Sequence, residues 1–372
     1  MLLRLLGASV LSALGACDAG ENPVALEDAT SPASGITFVD APPPPLHQGL
    51  EQILETARAH LRKEEVEPAL ELLESTPAAK DDPELRRECV RALLLNTDDA
   101  DPGKALRILE STSWPMEWRH EILILASRAA WRQRQARLCR DYVTELLAAD
   151  PPRELRAEGH FLLGSLAEQE GEFEPAAAHF ADALKIAPEY AHARFRRGAM
   201  EFELGRTEQA AADIEAALKI MPDLLAAHFQ LAQVYRKLGR NTDAGREHEI
   251  HRHLTQFLRL RSEKEEAYLK RFEALEHLES IYPQYRAGRV ELLRYRLIRG
   301  MNEDAAKASR GLIEEMPSDT ELYPLYVEAL RRGRGDQQAR AAIDDLLTAV
   351  PGIPEQQRRN LGVLVRNGFP PR

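Results

Sequence analysis

The chain has 372 residues, 29% of them charged and 44% hydrophobic, a balance that suits amphipathic helices with wet outer faces. Its 49 basic and 60 acidic side chains leave a net charge of −11, so no overall basic field exists to recruit nucleic acid. Three cysteines are too few for a disulfide framework, and the apolar run near the start, Leu5 to Leu14, is too short to span a bilayer.

That run follows a single basic residue, Arg4, which is the layout of a secretory leader. Leu14-Gly15-Ala16-Cys17 resembles the bacterial lipobox, in which the leader is cut before the cysteine and the thiol is lipidated. The resemblance implies a signal peptide over 1–16, a lipid anchor at Cys17 and a place in the cell envelope, facing the periplasm or the exterior. An ordinary secretory signal, or a buried first helix, is the alternative. Residues 17–46 turn to Pro, Ala, Ser and acidic side chains and end in Pro42 to Pro45, with too little apolar area to fold alone. As a tether of about 30 residues this stretch would reach roughly 100 Å at full extension. Ile36, Phe38 and Val39 interrupt it, either as a patch lying on the first helices or as a docking peptide.

Residues 47–153 read as divergent helix pairs: about 48–62 with 66–75, 83–96 with 102–111, and 116–132 with 135–149. Asp98, Asp99 and Asp101 sit in the second turn, where the spacing lacks the glycine and distal glutamate of a calcium loop and reads as a solvated acidic turn. Trp114, Trp118 and Trp131 all fall in the third pair and are assigned to core. Cys89 and Cys139 lie in helical patterns and read as buried thiols.

From residue 157 one pattern of 34 residues runs twice and begins a third time. Gly164, Gly198 and Ala232 keep this interval, as do Gly171, Gly205 and Gly239, and Ala176, Ala210 and Ala244. Phe180 with Ile214, Ala183 with Ala217, and Pro188 with Pro222 keep it too. A small eighth residue lets two helices approach, glycine at the fifteenth opens the turn, and proline at the thirty-second stops the second helix. The pattern resembles the tetratricopeptide repeat, with His160 standing where that family usually has Trp. The resemblance implies an all-α, right-handed superhelical solenoid of antiparallel helix pairs, about eight units with one extended helix. Three clear repeats span 157–258. The third has Gln256 where proline is expected, and apolar spacing through Leu254, Phe257, Tyr268, Phe272 and Leu278 predicts one long helix over about 242–281. A break at a Ser262–Glu265 capping box is the alternative. Residues 259–285 are thus a long-helix insertion. Two further units follow at 286–353, on Gly300, Ala305, Leu312, Pro317, Ala339, Leu346 and Pro351, and 354–372 form a capping helix.

The resemblance also implies a binding scaffold of the bacterial lipoprotein type, with ligand contacts at places 2, 5, 9, 12 and 13 of each first helix. Those places carry Glu158, Phe161, Ser165, Glu168 and Gln169, then His192, Phe195, Ala199, Phe202 and Glu203, then Ala226, Phe229, Gln233, Arg236 and Lys237. Phe161, Phe195 and Phe229 recur at the repeat period, either as an aromatic ladder for an extended peptide or as packing between repeats. The polar places pass from Glu158 and Glu168 to Arg236 and Lys237, which would set a polarity along such a groove. The family's paired Lys and Asn clamp for a C-terminal carboxylate is missing. REHEIHRH gathers His248, His251 and His253, with His228 on the facing helix, but this is not the H-E-x-x-H arrangement, and no metal site is expected. No phosphate loop, G-x-S-x-G or paired-cysteine motif is present, so neither an enzyme nor a cofactor is expected. The expected partner is a protein or extended peptide rather than nucleic acid or a small-molecule substrate. The expected role is assembly of an envelope complex or secretion, or alternatively an adaptor for an envelope enzyme such as a peptidoglycan hydrolase or protease.

Overall fold

The structure is a computed structural model that describes residues 35–39, 50–62, 68, 71, 72, 75, 83–94, 101–261 and 268–369. The leader, Cys17, most of the tether, Asp98, Asp99 and the Ser262 capping box lie outside these residues. Among the described residues the chain is all-α apart from two three-residue strands, and it divides into two compact units, 1–221 and 222–372.

In the first unit β1 (Thr37–Val39) pairs in parallel with β2 (Ser113–Pro115), setting Phe38 opposite Trp114. The patch in the tether therefore packs against the first helices, as expected of it, and does so as a strand rather than as a free docking peptide. Ile36 is buried in the unit's core, and the Arg119 guanidinium lies over the Phe38 ring. Three helices precede or flank β2: α1 (Leu50–Arg62), α2 (Pro83–Leu93) and α3 (Pro102–Ser111). Asp101 caps α3, its carboxylate accepting from the Lys104 N–H at 2.8 Å, which is the ordinary work of an N-cap rather than of a calcium ligand. A single 3-10 turn, Met116–Trp118, then leads into α4 (Arg119–Arg132) and α5 (Ala136–Ala148). Trp114 is fully buried, and its indole N–H donates to the Leu109 carbonyl. Trp131 is buried too, whereas Trp118 is only partly covered and lies under the Arg87 guanidinium. Cys89 and Cys139 are free and buried.

The two clear repeats of this unit are α6 (Arg153–Gln169) with α7 (Phe173–Ile186), and α8 (Ala191–Glu203) with α9 (Thr207–Ile220). The glycine at the eighth place does what its spacing implies. A Cβ on Gly164 would stand 2.8 Å from the Phe180 ring, and one on Gly198 2.8 Å from the Ile214 side chain. Gly171 and Gly205 open the intervening turns at φ of 76° and 77°, a left-handed backbone that other residues adopt at a cost. Ala176, Ala183, Ala210 and Ala217 are fully buried where the helices of a pair meet.

The second unit begins with α10 (Leu225–Lys237) and α11 (Asn241–Arg261), followed by α12 (Tyr268–Ile281), α13 (Arg286–Ile298), α14 (Asn302–Glu315), α15 (Leu322–Arg334), α16 (Asp336–Ala349) and α17 (Glu355–Asn367). Helices α7, α9, α12, α14 and α16 each stop two residues short of a proline. Helix α11 has no such proline and runs for 21 residues, against 14 for α7 and α9.

It does not continue as the single rod predicted over 242–281. The Arg246 guanidinium donates to the Ile281 carbonyl at 3.1 Å, and the His253 ring lies 4.0 Å from that of His277, so α12 folds back alongside α11. The reason is burial: Ile250, Leu254 and Phe257 form an apolar stripe that a rod would leave wet. Phe272, Leu275 and Leu278 cover it. Arg246 stands to Ile281 as Arg153 stands to Ile186, so the later part of α11 serves as first helix to α12 while its start serves as second helix to α10. About two turns of helix are thereby shared, which is why the insertion falls short of a full period. Beyond it, Ala305, Leu312, Ala339 and Leu346 are buried as their register predicts, and α17 closes the stack with Leu361 inward.

Candidate partner-binding surface

In the first unit most of the places expected to meet a ligand are engaged within the fold, Gln169 and Glu203 being exposed. The Glu158 carboxylate on α6 accepts from Arg128 Nε and Nη2 of α4 at 2.5 and 2.7 Å. Burial pushes the Arg128 guanidinium down and the Glu158 carboxylate more than restores it, so the guanidinium stays charged. Glu168 accepts from Arg196 of α8 at 2.8 Å, and burial holds its carboxyl above the usual range despite that partner. These two pairs join successive first helices. Phe161 is 2% exposed, its ring held 5.5 Å from Phe180 and 5.1 Å from Tyr190. Phe195 and His192 are buried, and Phe202 is half-buried.

The aromatic ladder is therefore not a ligand floor: Phe161 and Phe195 are core, and only Phe229 of the three is open. The acidic end of the expected charge gradient is likewise neutralised by Arg128 and Arg196.

In the second unit α10 is more exposed. Phe229 is 44% exposed, its ring 5.6 Å from that of His251 on α11. Gln233 follows one turn on and is half-buried, and Arg236 and Lys237 follow at the next turn, both exposed. The spacing of four, seven and eight residues puts all four on one face of the helix. That face offers an open phenyl ring, an amide and two cations to whatever docks there.

Two further arrangements bear on function. His228 is fully buried, with Nδ1 against the Glu247 carboxylate at 2.7 Å and Nε2 against the Pro222 carbonyl at 2.8 Å. With both ring nitrogens engaged it is no partner for a metal with His248 and His251. An open groove of about 470 Å³, floored by Ala177, Ala181 and Ala212, runs along α7 and α9. Sequence reasoning missed it, although the alanine-rich stretches EPAAAHFADA and EQAAADIEAA signal a surface without large side chains. Its rim is satisfied internally, Arg197 pairing with Asp213 and Arg206 bridging Glu174 and Glu201.

Residues 157–190 match the family model described as tetratricopeptide repeat. Among solved structures, MamA aligns with 16% identity over 46% of this chain and 90% of its own, at a TM-score of 0.33. A tetratricopeptide repeat protein from Parabacteroides merdae aligns with 18% identity over 67% and 86%, at a TM-score of 0.31. No curated protein matches the chain in sequence. Residues 157–190 thus carry a tetratricopeptide repeat, and the following repeat packs a glycine and alanines at the same places.

Proposed function

We propose that this chain is a non-catalytic scaffold that holds an extended, acidic segment of a partner protein on the exposed face of α10. The observation that carries the reading is the stripe Phe229, Gln233, Arg236 and Lys237: an open aromatic anchor, an amide and two cations on one helical face. A partner residue that buries the phenyl ring supplies binding energy, and carboxylates opposite Arg236 and Lys237 supply register and a faster encounter. The Arg–Glu pairs of the first unit support placing the partner here, since those side chains already serve to hold the stack. The leader and Cys17 add a lipid anchor, which places the scaffold in the cell envelope facing the periplasm or exterior, in a complex for envelope assembly or secretion.

The test is crosslinking in cells followed by mass spectrometry, run on the native chain and on Arg236→Glu. A partner whose yield drops with Arg236→Glu, and whose capture by the native chain weakens only at high salt, supports the reading. Equal capture of the same partner by both would refute the α10 site. Recovery of an envelope hydrolase or protease in stoichiometric amount would make the scaffold an adaptor for that enzyme. Membrane fractionation of Cys17→Ser tests the anchor independently: the variant should move to the soluble fraction, and retention in the membrane with the leader uncut would remove the lipid from the account.

A further inference from the structure

Three side chains of the first clear repeat meet in a way the sequence pattern did not single out. His160 lies on α6, and His179 and Asp182 lie three residues apart on the facing α7. One ligand atom from each falls within 4.8 Å of the others. An ion at the centre of that triangle would stand no more than about 2.8 Å from each, against the 2.0–2.2 Å that zinc needs, so small side-chain rotations close the site. The two rings are tilted with centroids 6.0 Å apart. Nδ1 of His160 and Nδ1 of His179 are both buried without a hydrogen-bond partner, a state that buried ring nitrogens seldom tolerate unless something binds them.

From this juxtaposition we propose that His160, His179 and Asp182 form a binding site for a divalent late transition metal, zinc in the first instance. Two imidazoles and one carboxylate favour zinc, nickel or copper over magnesium or calcium, which ask for more oxygen ligands. Three protein ligands leave a fourth position for water or for a side chain of a bound partner. The metal would pin α6 to α7 across the interface on which the repeat depends.

The surrounding charges work in both directions. Burial keeps the His160 imidazole below its usual range, so it is neutral and able to ligate near pH 7. The hydrogen bond and charge of Lys185 hold the Asp182 carboxyl below its usual range, so it is ionised. Against the metal stand the nearby cations: Arg156, paired with Asp150 at 2.7 Å, and Lys185, whose Nζ donates to Asp182 at 2.8 Å. Lys185 is 76% exposed and can swing into water when the metal arrives.

Calorimetric titration of the full chain with zinc chloride, and cobalt substitution read by visible absorption, test the site. One zinc per chain is expected, with the intense bands of tetrahedral cobalt. His160→Gln, His179→Gln and Asp182→Asn should each weaken binding tenfold or more, whereas His248→Gln, outside the cluster, should leave it unchanged. Lys185→Ala should tighten binding severalfold by removing the competing hydrogen bond. Asp182→Asn is near-isosteric and should fold normally, so it keeps the test sound if a histidine variant does not. The site is overturned if no zinc binds, if Asp182→Asn binds as tightly as the native chain, if Lys185→Ala weakens binding, or if the affinity follows His248 instead.

Discussion

Glycine inside a helix ordinarily destabilises it, so replacing it with alanine should help; here the structure predicts opposite signs at two helical glycines. Alanine is worth about 1 kcal/mol over glycine in a helix interior. At Gly311, in α14, an added methyl would meet nothing within 4 Å, so Gly311→Ala should stabilise by most of that amount. At Gly164 the same methyl would stand 2.8, 2.9 and 3.1 Å from three carbons of the Phe180 ring. Phe180 is fully buried and backed by Phe161 at 5.5 Å, so the ring has nowhere to retreat and α6 must move off α7. Overpacking of this kind costs about 1–3 kcal/mol, and a contact under 3.0 Å belongs at the upper end. Subtracting the helix gain leaves a net loss of about 1–2 kcal/mol for Gly164→Ala. Urea denaturation followed by far-UV circular dichroism measures both variants, and Gly164→Ala/Phe180→Leu should recover part of the loss by trimming the ring. Equal stabilisation by both single changes would refute the argument that the eighth place is small because the helices touch there.

The remaining expectations use other parts of the molecule. Phe161→Ala should cost about 3–5 kcal/mol of stability, whereas Phe229→Ala should leave melting nearly unchanged and weaken partner binding about tenfold; parallel melting and calorimetry would expose the reverse assignment. Arg289 hydrogen-bonds Glu315 and holds its carboxyl below the usual 4.5, so its stabilisation is present above that pH and is lost as pH falls through the lowered value. Glu315→Gln should therefore cost about 0.5 kcal/mol at pH 7, the screened worth of a half-exposed pair, and the difference from the native chain should close in acid; a gap that widens below pH 4.5 has the wrong sign. Burial pushes the Cys89 and Cys139 thiols up to about 12, so a thiol reagent at pH 8 should label both only after unfolding, as read by peptide mapping.

The parts of the fold that were legible in sequence are those where one residue type has one physical use. Glycine at the fifteenth place, with φ near 76° in Gly171 and Gly205, and proline two residues past a helix end are such positions. The fifth place is not, because a phenyl ring there serves core or surface according to what the rest of the repeat supplies. Phe161 is covered by Tyr190, the last residue of its repeat. The equivalent of Tyr190 in the third repeat is Leu258, which stays on α11 because Gln256 replaces proline, and which packs toward α12 instead. Phe229 is left open by a substitution 27 residues away, a distance over which periodicity says nothing. The same limit explains the missed cluster: His160 and His179 are neighbours only across a helix pair, and no local spacing marks them. The long helix was misjudged because apolar spacing continues unbroken through both α11 and α12. Such spacing shows that two stripes exist and leaves open whether they cover each other.

The charge of the chain bears on what α10 can select. At a net −11 the protein as a whole repels an acidic segment, and this repulsion acts over roughly one Debye length, about 8 Å at physiological ionic strength. Arg236 and Lys237, exposed on one turn, reverse that sign locally, so an acidic partner would be favoured only in the register that sets its carboxylates against them. Raising salt weakens both effects, but they scale differently. The diffuse repulsion involves many charges at long range and is screened first; the contact pairs, partly desolvated beside Phe229, are screened last. Binding should therefore change little or even strengthen on the first increments of salt and weaken only at higher concentration. A purely electrostatic attraction to a basic surface would instead fall steadily from the lowest salt onward, so the shape of the salt dependence separates a local docking stripe from a general cationic field.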